Sequence, residues 1–157
     1  MQLSVHLADY AQVLPDGKIS AIGLGWATVP SPLPAFTVVA QLELSHEEAA
    51  THSELTIRLV DGSGSPVRIA GKEMASGAHF ELDPSSGPDP ELPVAIPLCL
   101  TFSAGIVLSD GIYGWQVEVE GRGGVSTIKQ FRVKADPRGT LSAGQDDVTA
   151  DEAASTE

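Results

Sequence analysis

The chain has 157 residues, room for one β domain of roughly 100–130 residues and a tail. Nine basic residues stand against 21 acidic ones, a net charge of −12, which argues against nucleic acid or an anionic membrane as partner, since both need Lys and Arg. The single cysteine, Cys99, rules out an intrachain disulfide, and no apolar stretch has the length of a membrane span; with no basic, unbroken apolar start at Met1, a cytoplasmic location is expected, or one inside a phage particle assembled there.

Residues 3–14 read as a first strand, ended by Pro15-Asp16-Gly17-Lys18. There Pro presets one turn dihedral and Gly supplies a positive φ. Residues 18–29 return as a second strand. Gly23 and Gly25 inside it predict a bulge or the close approach of another backbone, and Trp26 is a core anchor. Pro30, Pro32 and Pro34 forbid regular ladder pairing and predict a connection. Phe36, Val38, Ala40, Leu42 and Leu44 then alternate with mostly polar neighbours, the period-two signature of a strand with one buried face. The polar stretch from His46 to His52 fits one helical turn.

Leu55, Ile57 and Leu59 resume the alternation, and Asp61-Gly62-Ser63-Gly64-Ser65 predicts a turn. Residues 66–70 and 79–82 are short strand candidates, followed by a long Pro-, Ser- and Gly-rich loop over 84–93. Residues 94–102 form a nearly continuous apolar run, the pattern of a central strand, but Pro97 within it implies an edge position or a bulge. Trp115, Val117 and Val119 alternate with polar residues, 121–124 is a hairpin loop, and Lys129, Phe131 and Val133 close the last strand.

Seven to nine strands separated by frequent turns predict an all-β, antiparallel sandwich over residues 1–135. Residues 139–157 hold no basic or aromatic residue and five acidic ones. Such a segment buries too little apolar surface to offset its ordering entropy, so 136–157 is expected to be a disordered acidic tail.

The run Asp110-Gly111-Ile112-Tyr113-Gly114-Trp115 looks like the tyrosine corner of immunoglobulin-like domains. In that resemblance Tyr113 is the corner residue, its hydroxyl bonding upstream backbone. Trp115 takes the core position where antibody domains have Cys. A second resemblance spans about residues 3–133. Asp9-Tyr10-Ala11, Gly17-Lys18, Ile22-Gly23-Leu24-Gly25-Trp26, the Pro-rich 30–34, Glu47-Glu48-Ala49, Val60-Asp61-Gly62-Ser63-Gly64 and Gly111 to Trp115 follow one another in characteristic order. This order is similar to that of a family of small, largely actinobacterial, immunoglobulin-like β-sandwich proteins catalogued as a domain of unknown function. The resemblance implies the fold and no activity.

The chemistry-bearing residues do not assemble in sequence. His6, His46, His52 and His79 show no close metal-ligand spacing. Ser126 and Lys129 match Ser-x-x-Lys only formally, because on a strand they point to opposite faces. No residue is assigned to catalysis, metal or cofactor. The expectation is a non-enzymatic module for protein interaction or structure, with a protein partner and no cofactor. A phage or particle accessory protein, capsid-decorating or tail-associated, is the alternative, and a small ligand-binding sandwich a third reading. The candidate interaction residues are Pro30, Pro32, Leu33 and Pro34 in one Pro-rich loop, and Pro90 and Leu92 in the other.

Overall fold

The computed structural model describes residues 1–49, 53–80, 89, 91–120 and 124–135. The predicted tail, Pro90 with most of its loop, and the 121–123 hairpin tip lie outside the described residues. Within them the chain is almost entirely strand, as its alternation requires. A three-stranded sheet has the order β1 (Gln2–Ala8), β5 (Phe36–Leu44), β10 (Val94–Phe102). A five-stranded sheet has the order β4 (Thr28–Ser31), β12 (Val125–Ala135), β11 (Gly111–Glu120), β6 (Ser53–Asp61), β9 (Ala75–Phe80). Two small hairpins, β2–β3 (Tyr10–Val13, Ile19–Ile22) and β7–β8 (Arg68–Ile69, Lys72–Glu73), and the helical turn α1 (His46–Ala49) complete it.

All pairings are antiparallel except β4 against β12. The sheet β1-β5-β10 packs face to face on β12-β11-β6 as the two layers of a sandwich. The predicted fold class is therefore the observed one. The inward set of β5 is the one its alternation named: Phe36, Val38, Ala40, Leu42 and Leu44 are all at most 1% exposed. They meet Leu55, Ile57, Leu59, Trp115, Val117 and Val119 from the other sheet. At one end an aromatic cluster closes the core. Phe36 lies 5.1 Å from Trp26, 5.0 Å from Phe102 and 5.8 Å from Trp115 between ring centroids.

Several predicted elements are corrected. The first strand is two, β1 and β2, separated at Asp9, and the second is β3 and β4, separated by residues 23–27. The reason is a tertiary contact: Asp9 Oδ1 accepts the Trp26 indole N–H at 2.8 Å, and the Gly25 amide donates to Leu7 O at 3.1 Å. The β2–β3 hairpin thereby folds over the outer face of the three-stranded sheet. Ala8, Ala11 and Val39 are buried there, with Ile19, Ala21 and Cys99 packed against them. Residues 30–34 are not a plain connection either, because Pro30 and Ser31 belong to β4 and pair with Lys134 and Ala135. Pro30 is tolerated because β4 is an edge strand. The apolar run 94–102 is an edge strand, not a central one, as Pro97 implied.

The Asp61 turn is held by its own carboxylate. Oδ1 accepts from the Ser63 amide at 2.8 Å, the Ser63 hydroxyl at 2.6 Å and the Ser65 amide at 3.0 Å. The Ser63 hydroxyl first, then the two amides, hold its pKa below the usual carboxylate range. A folded value below the unfolded one means that the contribution to stability is complete above the ordinary Asp value. It is lost as pH falls through the lowered one. Glu48 and Asp16 shift in the same direction. Thermal midpoints should therefore hold steady near neutrality and fall below about pH 4. In Asp61→Ala that acid limb should be shallower; an unchanged slope in melts from neutral to acid pH would refute the assignment.

Candidate functional site

The predicted site residues do not form one surface. The 30–34 segment precedes Phe36 at the start of β5, whereas Leu92 lies near Leu44 at its end. Nine residues at about 3.3 Å each separate the two. Pro30, Pro32 and Pro34 are exposed, but Leu33 is 1% exposed and belongs to the core. A two-sided backbone clasp pulls it in: its amide donates to Ile106 O at 2.8 Å, and the Gly105 amide donates to its carbonyl at 2.9 Å. Leu33 is thus removed from the interaction set, while Leu92, 57% exposed, stays in it.

The tyrosine corner is corrected as well. Trp115 is a core residue, 1% exposed, as the resemblance implied. Tyr113 opens β11 near Asp110, but among the described residues its hydroxyl has no hydrogen bond to upstream backbone. Its ring instead packs at 6.3 Å on that of Phe131, its cross-strand partner.

Among the described residues, an open groove lies at each end of β5. The larger, about 710 Å³, is built around α1. Ser45 and Glu48 form a capping box: the Glu48 amide donates to Ser45 Oγ at 3.3 Å and Glu48 Oε2 accepts the Ser45 amide at 2.8 Å. Glu48 Oε1 also accepts the Met1 ammonium at 2.7 Å, and this contact, before the Ser45 amide, lowers its pKa. His46 Nε2 lies 3.3 Å from Asp89 O and 3.1 Å from Leu92 O. Carbonyls only accept, so this nitrogen carries the proton and fastens the returning chain to α1. The register Glu43↔Ala95 then sets Glu43 beside the segment that leads into β10. The lining holds Glu43, Glu47, Glu48 and Glu91 with Leu44, Leu92 and Pro93; the Met1 ammonium is also in it, and no Lys or Arg is among the lining residues. Of these only Leu92 belongs to the predicted site set; Glu43 and Glu91 lie 48 positions apart, and nothing in the sequence joins them.

The smaller groove, about 440 Å³, is lined by Asp9, Leu24, Trp26, Pro30 and Pro34 among others. It holds two of the predicted loop prolines. It also gathers Asp9 and the run Gly23 to Trp26 of the family-like motif, in which Asp9 meets both Gly23 and Trp26. Their first role is architectural: Gly23, at φ +69°, leaves the space that the Asp9 carboxylate fills, and that carboxylate in turn anchors Trp26.

Among the described residues no group of three or more His, Cys, Asp or Glu is placed to hold a metal ion, and no helix is long and apolar enough to cross a membrane. The class so defined is an all-β sandwich with an open groove at either end. Over residues 3–133 the chain matches the Family of unknown function (DUF6941), and it belongs to that family. No curated protein matches it. Among solved structures it is similar to the PmoD soluble domain from Methylocystis sp. ATCC 49242 (Rockwell), at 12% identity and a TM-score of 0.36, with 84% of this chain and 90% of that chain covered.

Proposed function

We propose that this protein is a non-enzymatic interaction module whose α1 groove docks a basic, partly apolar segment of a partner protein. The observation that carries this reading is the lining of that groove. Four glutamates, of which Glu48 is paired with the Met1 ammonium, surround Leu92 and Pro93 with no Lys or Arg among the lining residues. Such a surface attracts a cationic segment from a distance and rewards apolar contact on arrival. Leu92, with its side chain largely in solvent, supplies an apolar contact at the rim.

The test is affinity capture from native lysate by the full chain and by a Glu91→Lys/Leu92→Ser variant, read by mass spectrometry. The expected partner binds the unmodified chain, weakens about tenfold or more with the variant, and dissociates as salt is raised, because the attraction is screened. Both side chains are exposed, so the variant keeps its fold. A partner held equally by both forms, or unaffected by salt, would overturn the reading.

A further inference from the structure

We propose that the smaller groove is a second docking site, separate from the α1 groove, and that it takes an extended segment of a partner protein carrying one lysine or arginine, with the cation on Asp9 and its apolar neighbours on Leu24, Pro30 and Pro34. The groove runs along β4, the edge of the five-stranded sheet. Leu24 is 56% exposed at its rim. Beside the groove residues Asp9 and Gly23 in the chain, Tyr10 and Ile22 of the β2–β3 hairpin are direct cross-strand partners, 50% and 67% exposed. Exposed large apolar side chains at and next to a groove are the kind of surface that contact sites use.

Charge selects the occupant. Asp9 is the only charged residue in the lining. Its Oδ1 is taken by the Trp26 indole, and among the described residues no cation pairs with its carboxylate. One carboxylate in an otherwise uncharged groove, with Leu24, Pro30 and Pro34 beside it, is complementary to a single cation with apolar flanks. A second copy of this chain is the poorer fit, since each carries a net charge of −12 and like charges repel on approach. Pro30 also bears on the mode of contact. It has no N–H to extend a ladder, so the occupant is held by side chains in the groove rather than added to the sheet as a further strand.

The probe is the capped tripeptide acetyl-Leu-Arg-Leu-amide, titrated into the full ¹⁵N-labelled chain, with acetyl-Leu-Gln-Leu-amide as its neutral control. The arginine peptide should shift the Trp26 indole and the Gly23 and Gly25 amides saturably, and the glutamine peptide should bind about tenfold more weakly or not at all. Asp9→Asn keeps an oxygen for the Trp26 indole but removes the charge, so it should bind both peptides alike. Its indole resonance reports whether the fold is kept. Leu24→Ser, at an exposed position, should weaken the arginine peptide several-fold. The Glu91→Lys/Leu92→Ser variant should leave it unchanged, which separates this site from the α1 groove. Equal binding of the two peptides by the unmodified chain would overturn the proposal, and so would undiminished arginine-peptide binding by Asp9→Asn. Shifts confined to residues 43–48, or no saturable shift at about 1 mM probe, would do the same.

Discussion

Phe36→Ala should lower stability by about 3–5 kcal/mol, the cost of an aromatic ring removed from a core that does not collapse behind it. Phe36 has no exposed surface and stands at the centre of the aromatic cluster. Its ring is tilted against Trp26 at 5.1 Å and Trp115 at 5.8 Å, and stacks on Phe102 at 5.0 Å. Each neighbour comes from a different part of the chain, so no single shift fills the space the ring leaves. Against a total of about 5–15 kcal/mol for an ordinary domain, this is a large share. The thermal midpoint should fall by roughly 10–20 °C. Phe102→Ala is the natural comparison. It removes a ring of the same size from β10, an edge strand, where the side chain is only half-buried. Its loss should be the smaller of the two in matched urea titrations. Equal losses would mean that the cluster is not centred on Phe36.

What the sequence made legible divides along the same lines. The alternation from Phe36 to Leu44 named the inward face of β5 because a sheet face and a two-residue period are the same fact. Trp26 and Trp115 were legible as core residues because few other places suit a large ring. The run 94–102 was ambiguous for a physical reason. Its outer face is covered by the β2–β3 hairpin, with Cys99 packed beside Ala11 and Val39. A covered edge strand is apolar on both faces and imitates a central one; Pro97 alone gave the edge away. Leu33, flanked by Pro32 and Pro34, had the sequence of an exposed loop. Only the backbone clasp with residues 105–106 draws it inward.

The sites were less legible than the fold. Leu92 in the α1 groove, and Pro30 and Pro34 in the smaller one, were named from composition, but their companions were not. Glu43 and Glu91 come together only through the pairing of β5 with β10 and the His46 contacts that fasten the intervening chain. Asp9 belonged to the family-like motif, yet in a strand pattern a lone aspartate reads as one more outward-facing residue. That it ends β1 and anchors Trp26 is a property of the tertiary structure.

Gly23→Ala is the second change expected to be severe, and its severity should depend on Asp9. At φ +69° an L side chain is strained by itself, a backbone cost of about 1–2 kcal/mol. The added Cβ would also occupy the place of the Asp9 carboxylate. Asp9 must then swing away, releasing the Trp26 indole N–H, which is worth about 1.5–3 kcal/mol as a hydrogen bond to a charged group. The total should reach about 2.5–5 kcal/mol. In an Asp9→Ala background the collision is gone and the indole has already lost its acceptor. Gly23→Ala should then cost only the backbone strain, leaving a coupling energy of about 1.5–3 kcal/mol in the double-mutant cycle. Gly25→Ala is the control. Its φ of +100° imposes a similar backbone penalty, but nothing lies within 4 Å of the added Cβ, so its cost should be the same whether or not Asp9 is present. Urea denaturation of the four proteins in the Gly23 cycle measures this directly. Additivity within about 0.5 kcal/mol would mean that Asp9 and Gly23 act independently, and that the break between β1 and β2 is held by something other than their contact.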